Sequence, residues 1–177
     1  NLQDILLRDG LSDPFTGEAM GEQAERLAQD HGVTRQEIDE AAYLSHKRAA
    51  EATEKGLFAW EIAPVEVQGR KGPVVVDRDE GIRPETTLES LAALRPAFKE
   101  DGVLTAGNSS QISDGAAAVL LAEKSKAEEL GMTPRARIVD QVTVGVDPVI
   151  MLTGPIPATQ KILERNNMTI DDIDLIE

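Results

Sequence analysis

A chain of 177 residues carrying 32 acidic against 18 basic side chains, net charge -14, has room for one good core or two small ones. Acidity of this degree excludes the usual nucleic-acid binder, which presents a basic face, and the absence of cysteine excludes disulfides and thiolate metal sites. No apolar stretch approaches the roughly 20 residues a membrane helix requires, and no basic-then-apolar signal segment is visible. The expectation is a cytoplasmic protein with neither nucleic acid nor membrane as partner. Aromatics are scarce, so the core must be built from Ala, Val, Leu and Ile.

In chain order, Met20, Ala24, Leu27, Ala28 and His31 recur at helical spacing, with Gly32 where a helix C-terminal glycine belongs. Thr34-Arg35-Gln36-Glu37 is a capping box opening a second helix. Its buried stripe is predicted as Ile38, Ala42, Ser45, Ala49 and Ala52, ending at Gly56. His46 falls off that stripe and is expected on the surface. The period then changes. Ile62 to Val67 and Val74 to Val76 read as two strands of a hairpin around Gln68-Gly69-Arg70-Lys71-Gly72. Thr86 and Glu89 mark a capping box for a short helix that must stop before Pro96.

The run from Thr105 to Gly115 is small, hydroxyl-bearing and glycine-punctuated, a composition that lets a ligand lie close against backbone. It feeds Ala116-Ala117-Ala118-Val119-Leu120-Leu121, a continuous apolar run that reads as a strand buried on both faces. A helix is predicted from about Lys124 to Leu130, stopped by Gly131 and Pro134, then a strand over Arg137 to Val144. Pro157 suits the first position of a helix running to Asn166, and Ile173 to Ile176 begins another strand. Helices and a hairpin followed by strand, helix, strand, helix, strand favour a layered α/β sheet.

Several segments carry a family likeness. Met20-Gly21-Glu22-Gln23-Ala24-Glu25, Thr34 to Ala52, Glu61-Ile62-Ala63-Pro64-Val65, Leu94-Arg95-Pro96-Ala97-Phe98, the Thr105 to Gly115 run, Gly145-Val146-Asp147-Pro148 and Gly154-Pro155-Ile156-Pro157-Ala158 resemble thiolase segments, in thiolase order. The resemblance covers essentially the whole chain. It implies an α/β fold: an α+β loop domain over 1–112 for coenzyme A recognition, the last strand and helix of an N-terminal layered α-β-α core domain over 113–133, and the start of a C-terminal core domain over 134–177. It also implies thiolytic cleavage of a 3-ketoacyl-CoA to acetyl-CoA and a shortened acyl-CoA, as in fatty acid β-oxidation. No covalently bound cofactor is implied; coenzyme A and 3-ketoacyl-CoA are substrates. Thiolases are dimers or tetramers, so a homo-oligomer is implied as well.

Residue by residue, Ser110 resembles the thiolase serine that hydrogen-bonds the pantetheine amide, and a hydroxyl that donates and accepts suits that ligand. Arg83 resembles the arginine packed against the adenine. Ser90 matches a serine near the nucleotide end, Leu11 and Phe98 match apolar walls of the coenzyme A tunnel, and Ala106 matches a position whose backbone approaches the pantetheine. Met20 and Met151 match the acyl pocket, where a flexible thioether accepts varied acyl groups. On the residues alone, Ser110 also reads as a turn serine bonding its own backbone. Arg83 likewise reads as a solvated arginine, and Leu11, Phe98 and Met151 as core.

Thiolases use a nucleophilic cysteine, a second cysteine as acid/base and a histidine. This sequence has no cysteine, and His31 and His46 lie in the wrong part of the pattern. The chain begins at Asn1 without a methionine and stops at Glu177, before a thiolase Asn-Glu-Ala-Phe segment. The expectation is an internal piece, inactive alone, that needs the N- and C-terminal parts of the same enzyme. Ala19, Gln111 and Leu152 depart from biosynthetic acetoacetyl-CoA thiolases, which carry histidine, a small residue and glycine there. These departures lean toward the degradative branch. The alternatives are a biosynthetic acetyl-CoA acetyltransferase, a coenzyme A-binding module without chemistry, or a proteolytic remnant. Gly107 to Gln111 misses the second glycine of a nucleophile elbow, and no histidine follows His46 to complete a hydrolase triad. Asp171, Asp172 and Asp174 lack the glycine and glutamate of a calcium loop.

Overall fold

A computed structural model describes residues 3–177; Asn1, on which the expectation of an internal piece partly rests, and Leu2 lie outside the described residues. The chain divides into two compact units, Asn1–Ser113 and Asp114–Glu177.

The first unit starts with a π-helical turn, Leu7–Leu11. A tight reversal follows, closed by the antiparallel bridge Ser12↔Ala19. Asp13 holds it: its Oδ1 accepts from the backbone N–H of Phe15 at 2.9 Å and of Thr16 at 2.7 Å, and from the Thr16 hydroxyl at 3.0 Å. Those donors, the Thr16 amide first, hold the Asp13 carboxyl below its ordinary value, assisted by the neighbouring amide of Gln23. The reversal delivers the start of α1 (Met20–Asp30), where the Glu22 carboxylate accepts from Ala19 N at 2.7 Å. Gly32 follows at φ 65°, as its place in the sequence implied. The buried face of α1 is Gln23, Glu25 and Ala28, with Met20, Ala24 and Leu27 half-buried and His31 exposed. Glu25 displaces the apolar stripe because a loop, described below, draws on its carboxylate, whereas the buried Gln23 amide has no hydrogen-bond partner among the described residues.

α2 (Arg35–Glu54) opens on the predicted capping box: Glu37 N donates to Thr34 Oγ1 at 3.3 Å and Thr34 N to Glu37 Oε2 at 2.8 Å. Of the predicted stripe, Ile38, Ala42, Ala49 and Ala52 are half-buried, but Ser45 is exposed. The one fully buried position is Asp39, and His46, expected on the surface, is half-buried. The inward face thus turns toward polar partners, which periodicity of apolar residues does not register.

β1 (Val65–Gly69) and β2 (Gly72–Val76) form the expected hairpin, antiparallel with Val65 opposite Val76 and Gly69 opposite Gly72. Arg70 and Lys71 both keep negative φ, and Gly72 at φ 121° takes the unusual conformation the turn needs. α3 (Leu88–Ala92) packs against α2. Its cap is Thr87 with Ser90, one residue later than the predicted Thr86 with Glu89. Thr86 is buried and donates its N–H to Arg83 O at 3.1 Å, so it belongs to the preceding turn.

In the second unit, α4 (Lys124–Glu129) matches its prediction. α5 (Pro155–Arg165) begins earlier than predicted, at Pro155 rather than Pro157. Both prolines fit the first turn, whose N–H groups have no intrahelical acceptor. The expected strands over 116–121, 137–144 and 173–176 belong to no sheet among the described residues. Nor is the first buried: Val119 is 81% and Leu120 76% exposed. A strand exists through its ladder, and among the described residues these segments have no neighbouring strand. Side chains of α5 partly stand in. Lys161 Nζ donates to Thr143 O at 3.2 Å and Arg165 to Gln141 O at 3.3 Å, while Asp140 accepts from Asn166 Nδ2 at 2.9 Å. Among the described residues no helix is long and apolar enough to cross a membrane.

Asp13 yields a pH-dependent prediction. Its depressed folded-state value means its contribution is complete above the ordinary aspartate value of about 3.9 and is lost as pH falls through the lower folded value. Asp13→Asn should therefore lower the urea midpoint near pH 7, and the gap to wild type should close on acidification below about pH 4.

Candidate functional site

The loop carrying Ser110 is held from three helices. On α1, Glu25 accepts from Val103 N and Leu104 N, both at 2.8 Å. The approach is so close that a Cβ on Gly102 would sit 2.2 Å from Glu25 Oε1. Ala97 N donates to Leu104 O at 2.8 Å beside the antiparallel bridge Pro96↔Thr105, which lays the Phe98 segment against the Ala106 segment. On α2, buried Asp39 accepts from Asn108 Nδ2 at 2.8 Å through one oxygen and from Arg35 Nε at 2.7 Å through the other. Asn108 in turn donates to Val103 O at 3.1 Å and accepts from Thr105 N at 2.7 Å. Arg35 reaches the end of α3, donating to Leu91 O at 2.6 Å and Leu94 O at 3.2 Å. Gly107 lies against the side chains of Leu91 and Leu94, where a Cβ would come within 2.6 and 2.5 Å.

The result is a shallow cleft between α2 and this loop, lined by Ala42, Ser45 and His46 on one side and by Gly107, Asn108, Ser109, Ser110 and Gln111 on the other. Ser110 is exposed in it, and its hydroxyl bonds none of the described residues, so it is not the self-satisfied turn serine of the alternative reading. Arg83 is exposed on a neighbouring segment, and its backbone N–H donates to His46 Nδ1 at 3.2 Å. His46 is a residue that sequence reasoning missed; its only signal was the hydrogen-bonding capacity of a histidine one position from an apolar stripe.

The other candidates fall into separate groups. Leu11 and Met20 are half-buried and flank the Ser12↔Ala19 bridge. Phe98, 38% exposed, covers Gly21 at the start of α1, where a Cβ would lie 2.3 Å from its ring. These three apolar positions are therefore carried around one helix end. Ala106 is exposed on the Ser110 loop. The Ser90 hydroxyl is occupied in the α3 cap, accepting from Thr87 N at 3.1 Å and donating to Thr87 O at 2.8 Å. Met151 belongs to the second unit, where it opens a 3-10 turn, Met151–Thr153. Among the described residues no cluster of His, Asp and Glu side chains could hold a metal ion.

Two substitutions probe this scaffold by chemical denaturation. Asp39→Ala strips Asn108 and Arg35 of their shared acceptor and should destabilise by about 1–3 kcal/mol. Gly21→Ala forces the Phe98 ring aside, and overpacking of this kind should cost about 1–3 kcal/mol.

The chain matches the family model for the thiolase N-terminal domain over residues 1–125 and that for the thiolase C-terminal domain over residues 132–177. It is 52% identical to an acetyl-CoA acetyltransferase of Synechocystis over 100% of this chain and 45% of that protein. A probable acetyl-CoA acyltransferase of Staphylococcus epidermidis is 47% identical over 99% of this chain and 45% of its own length. Among solved structures, the Bacillus anthracis acetyl-CoA acetyltransferase superposes with a TM-score of 0.93 at 43% identity, covering 99% of this chain and 44% of that one. Human mitochondrial 3-ketoacyl-CoA thiolase does so with a TM-score of 0.93 at 41% identity, again over 99% and 44%. The chain thus spans a little under half the length of the relatives it matches, and its α/β fold is theirs. Full-length agreement in sequence and in structure makes this chain a member of the thiolase family.

Proposed function

We propose that this chain is the coenzyme A-recognising part of a thiolase that cleaves 3-ketoacyl-CoA. The observation that carries the reading is the Ser110 hydroxyl, exposed and unbonded among the described residues, on a loop fixed by Asp39 and Asn108. A hydroxyl held without internal partners is ready to meet an amide in the pantetheine arm. Arg83, with no ion pair among the described residues, supplies a cation for the nucleotide end in a chain of net charge -14. Leu11 and Phe98 wall the tunnel, Ala106 borders the pantetheine, Ser90 lies toward the nucleotide, and Met20 and Met151 face the acyl group. Residues 1–112 form the loop domain, 113–133 the end of the N-terminal core domain and 134–177 the start of the C-terminal one.

In the complete enzyme, a cysteine thiolate attacks the 3-keto carbon, the C2–C3 bond breaks, and the departing enolate is protonated to give acetyl-CoA. The thiolate of a second coenzyme A then takes the acyl group from the cysteine and releases a shortened acyl-CoA. Oxyanion donors stabilise the charge at each stage. With no cysteine in its sequence, this chain supplies binding and not the nucleophile. The segments over 116–121, 137–144 and 173–176 become strands on pairing with the rest of the same enzyme, and the assembled protein is a dimer or tetramer. Ala19, Gln111 and Leu152 favour the degradative direction. The second reading, a biosynthetic acetyl-CoA acetyltransferase, is favoured by the name of the 52% identical relative.

The test is thiolysis by the complete protein that carries this sequence, comparing acetoacetyl-CoA with longer 3-ketoacyl-CoAs. Preference for the longer substrates is expected, with no turnover by the 177-residue chain alone. Ser110→Trp should raise the coenzyme A KM at least about tenfold, a loss of about 1.4 kcal/mol. Preference for acetoacetyl-CoA promotes the second reading, and no turnover by the complete protein refutes both.

A further inference from the structure

The segment Gly81–Pro84 has no regular structure of its own, yet three side chains bind its main chain from two other elements. Gln111 Nε2 donates to Gly81 O at 2.8 Å. His46 Nδ1 accepts from Arg83 N at 3.2 Å. Lys47 Nζ donates to Pro84 O at 2.6 Å while lying 5.5 Å from the centre of the Tyr43 ring. Two of these come from α2 and one from the loop that carries Ser110. His46 and Gln111 also line the Ser110 cleft itself.

The contacts are close. A Cβ on Gly81 would lie 3.0 Å from Gln111 Nε2 and 3.1 Å from Asp79 Oδ1, so the approach of Gln111 depends on a bare backbone. Asp79 Oδ1 already accepts Gly81 N at 2.7 Å, which leaves the carbonyl as the group presented to Gln111. Ordering a segment of this kind costs backbone entropy, which a ligand must supply if the protein does not.

Charge points the same way. Lys47 spends its ammonium on a carbonyl and a ring, neither of which neutralises it, and Arg83 has no ion pair among the described residues. Two cations, Lys47 and Arg83, therefore lie on the helix and segment that join the cleft, with Asp79, Glu80 and Glu85 flanking that segment. Local cations of this kind matter more to a polyanionic ligand than bulk charge does.

We infer that Gln111, His46 and Lys47 are positioning residues that lock the Gly81–Pro84 segment to the Ser110 loop, so that the phosphate-bearing and pantetheine ends of coenzyme A meet one preformed site. This rests on the proposed coenzyme A recognition and assigns it a mechanism of preorganisation. Gln111 is the link between the two ends, since it sits next to Ser110 and grips the segment that bears Arg83.

The decisive variant is Gln111→Glu in the complete protein carrying this sequence. It keeps the shape of the side chain but replaces a donor facing Gly81 O with an acceptor. Two readouts are taken: coenzyme A KM and kcat in thiolysis, and hydrogen exchange of the amides over 81–85. The expected result is a rise in KM of about tenfold or more, kcat within about twofold, and faster exchange at the Arg83 amide. Gln111→Ala should be milder. Equal behaviour of Gln111→Glu and wild type would reduce Gln111 to packing and overturn the inference. So would faster exchange with an unchanged KM, since the clamp would then exist without serving coenzyme A. Both leave the thiolase reading standing, whereas a wild-type protein that turns over no 3-ketoacyl-CoA removes that reading and the clamp's purpose together. Should Gln111→Glu not fold, Lys47→Met reads the same two quantities without touching the Ser110 loop.

Discussion

A single buried carboxylate organises the first unit. Asp39 on α2 accepts the Asn108 amide through one oxygen and the Arg35 guanidinium through the other. Asn108 fixes the loop on both sides of Thr105, and Arg35 satisfies the last carbonyls of α3. Two helices and the loop between the Phe98 segment and Ser110 therefore share one polar junction. A carboxylate removed from water is costly unless its oxygens are occupied, and here both are. That is why a unit with so few buried apolar side chains still holds its loops in definite places. Ala28 and Leu91 are its only buried apolar residues among those described.

Glu25 performs a similar task from α1, occupying the amides of Val103 and Leu104. The geometry that results is polar on the inside and partly apolar on the outside, an inversion of the ordinary pattern. Val65, Val67, Val74, Val75 and Val76 of the hairpin are all exposed, as are Val119, Leu120 and Leu121.

What was legible in the sequence was local. Capping chemistry marked α2, and Gly32 marked the end of α1, because these signals depend only on near neighbours. α3 was found but displaced by one residue, since adjacent threonines offer the same hydroxyl and only the burial of Thr86 separates them. The strands over 116–121, 137–144 and 173–176 were read from composition, which reports what a segment can do once a neighbour arrives. Composition cannot supply the neighbour. The Ser110 loop was legible from its small and hydroxylic run, and its position facing α2 was not. The buried faces of α1 and α2 depart from the apolar stripes largely because Glu25, Asp39 and His46 bond polar groups distant in sequence, and hydropathy counts such residues as solvent-seeking.

The contact of Phe98 with Gly21 has a consequence for how this sequence can drift. The ring occupies the volume that any side chain at position 21 would fill, so the two positions have one shared space between them. While the aromatic ring stays, any side chain at position 21 must push it aside and so costs stability. A smaller residue at 98 would lower that cost, and a later return to phenylalanine would restore it. The order in which the pair changes therefore sets how costly each step is.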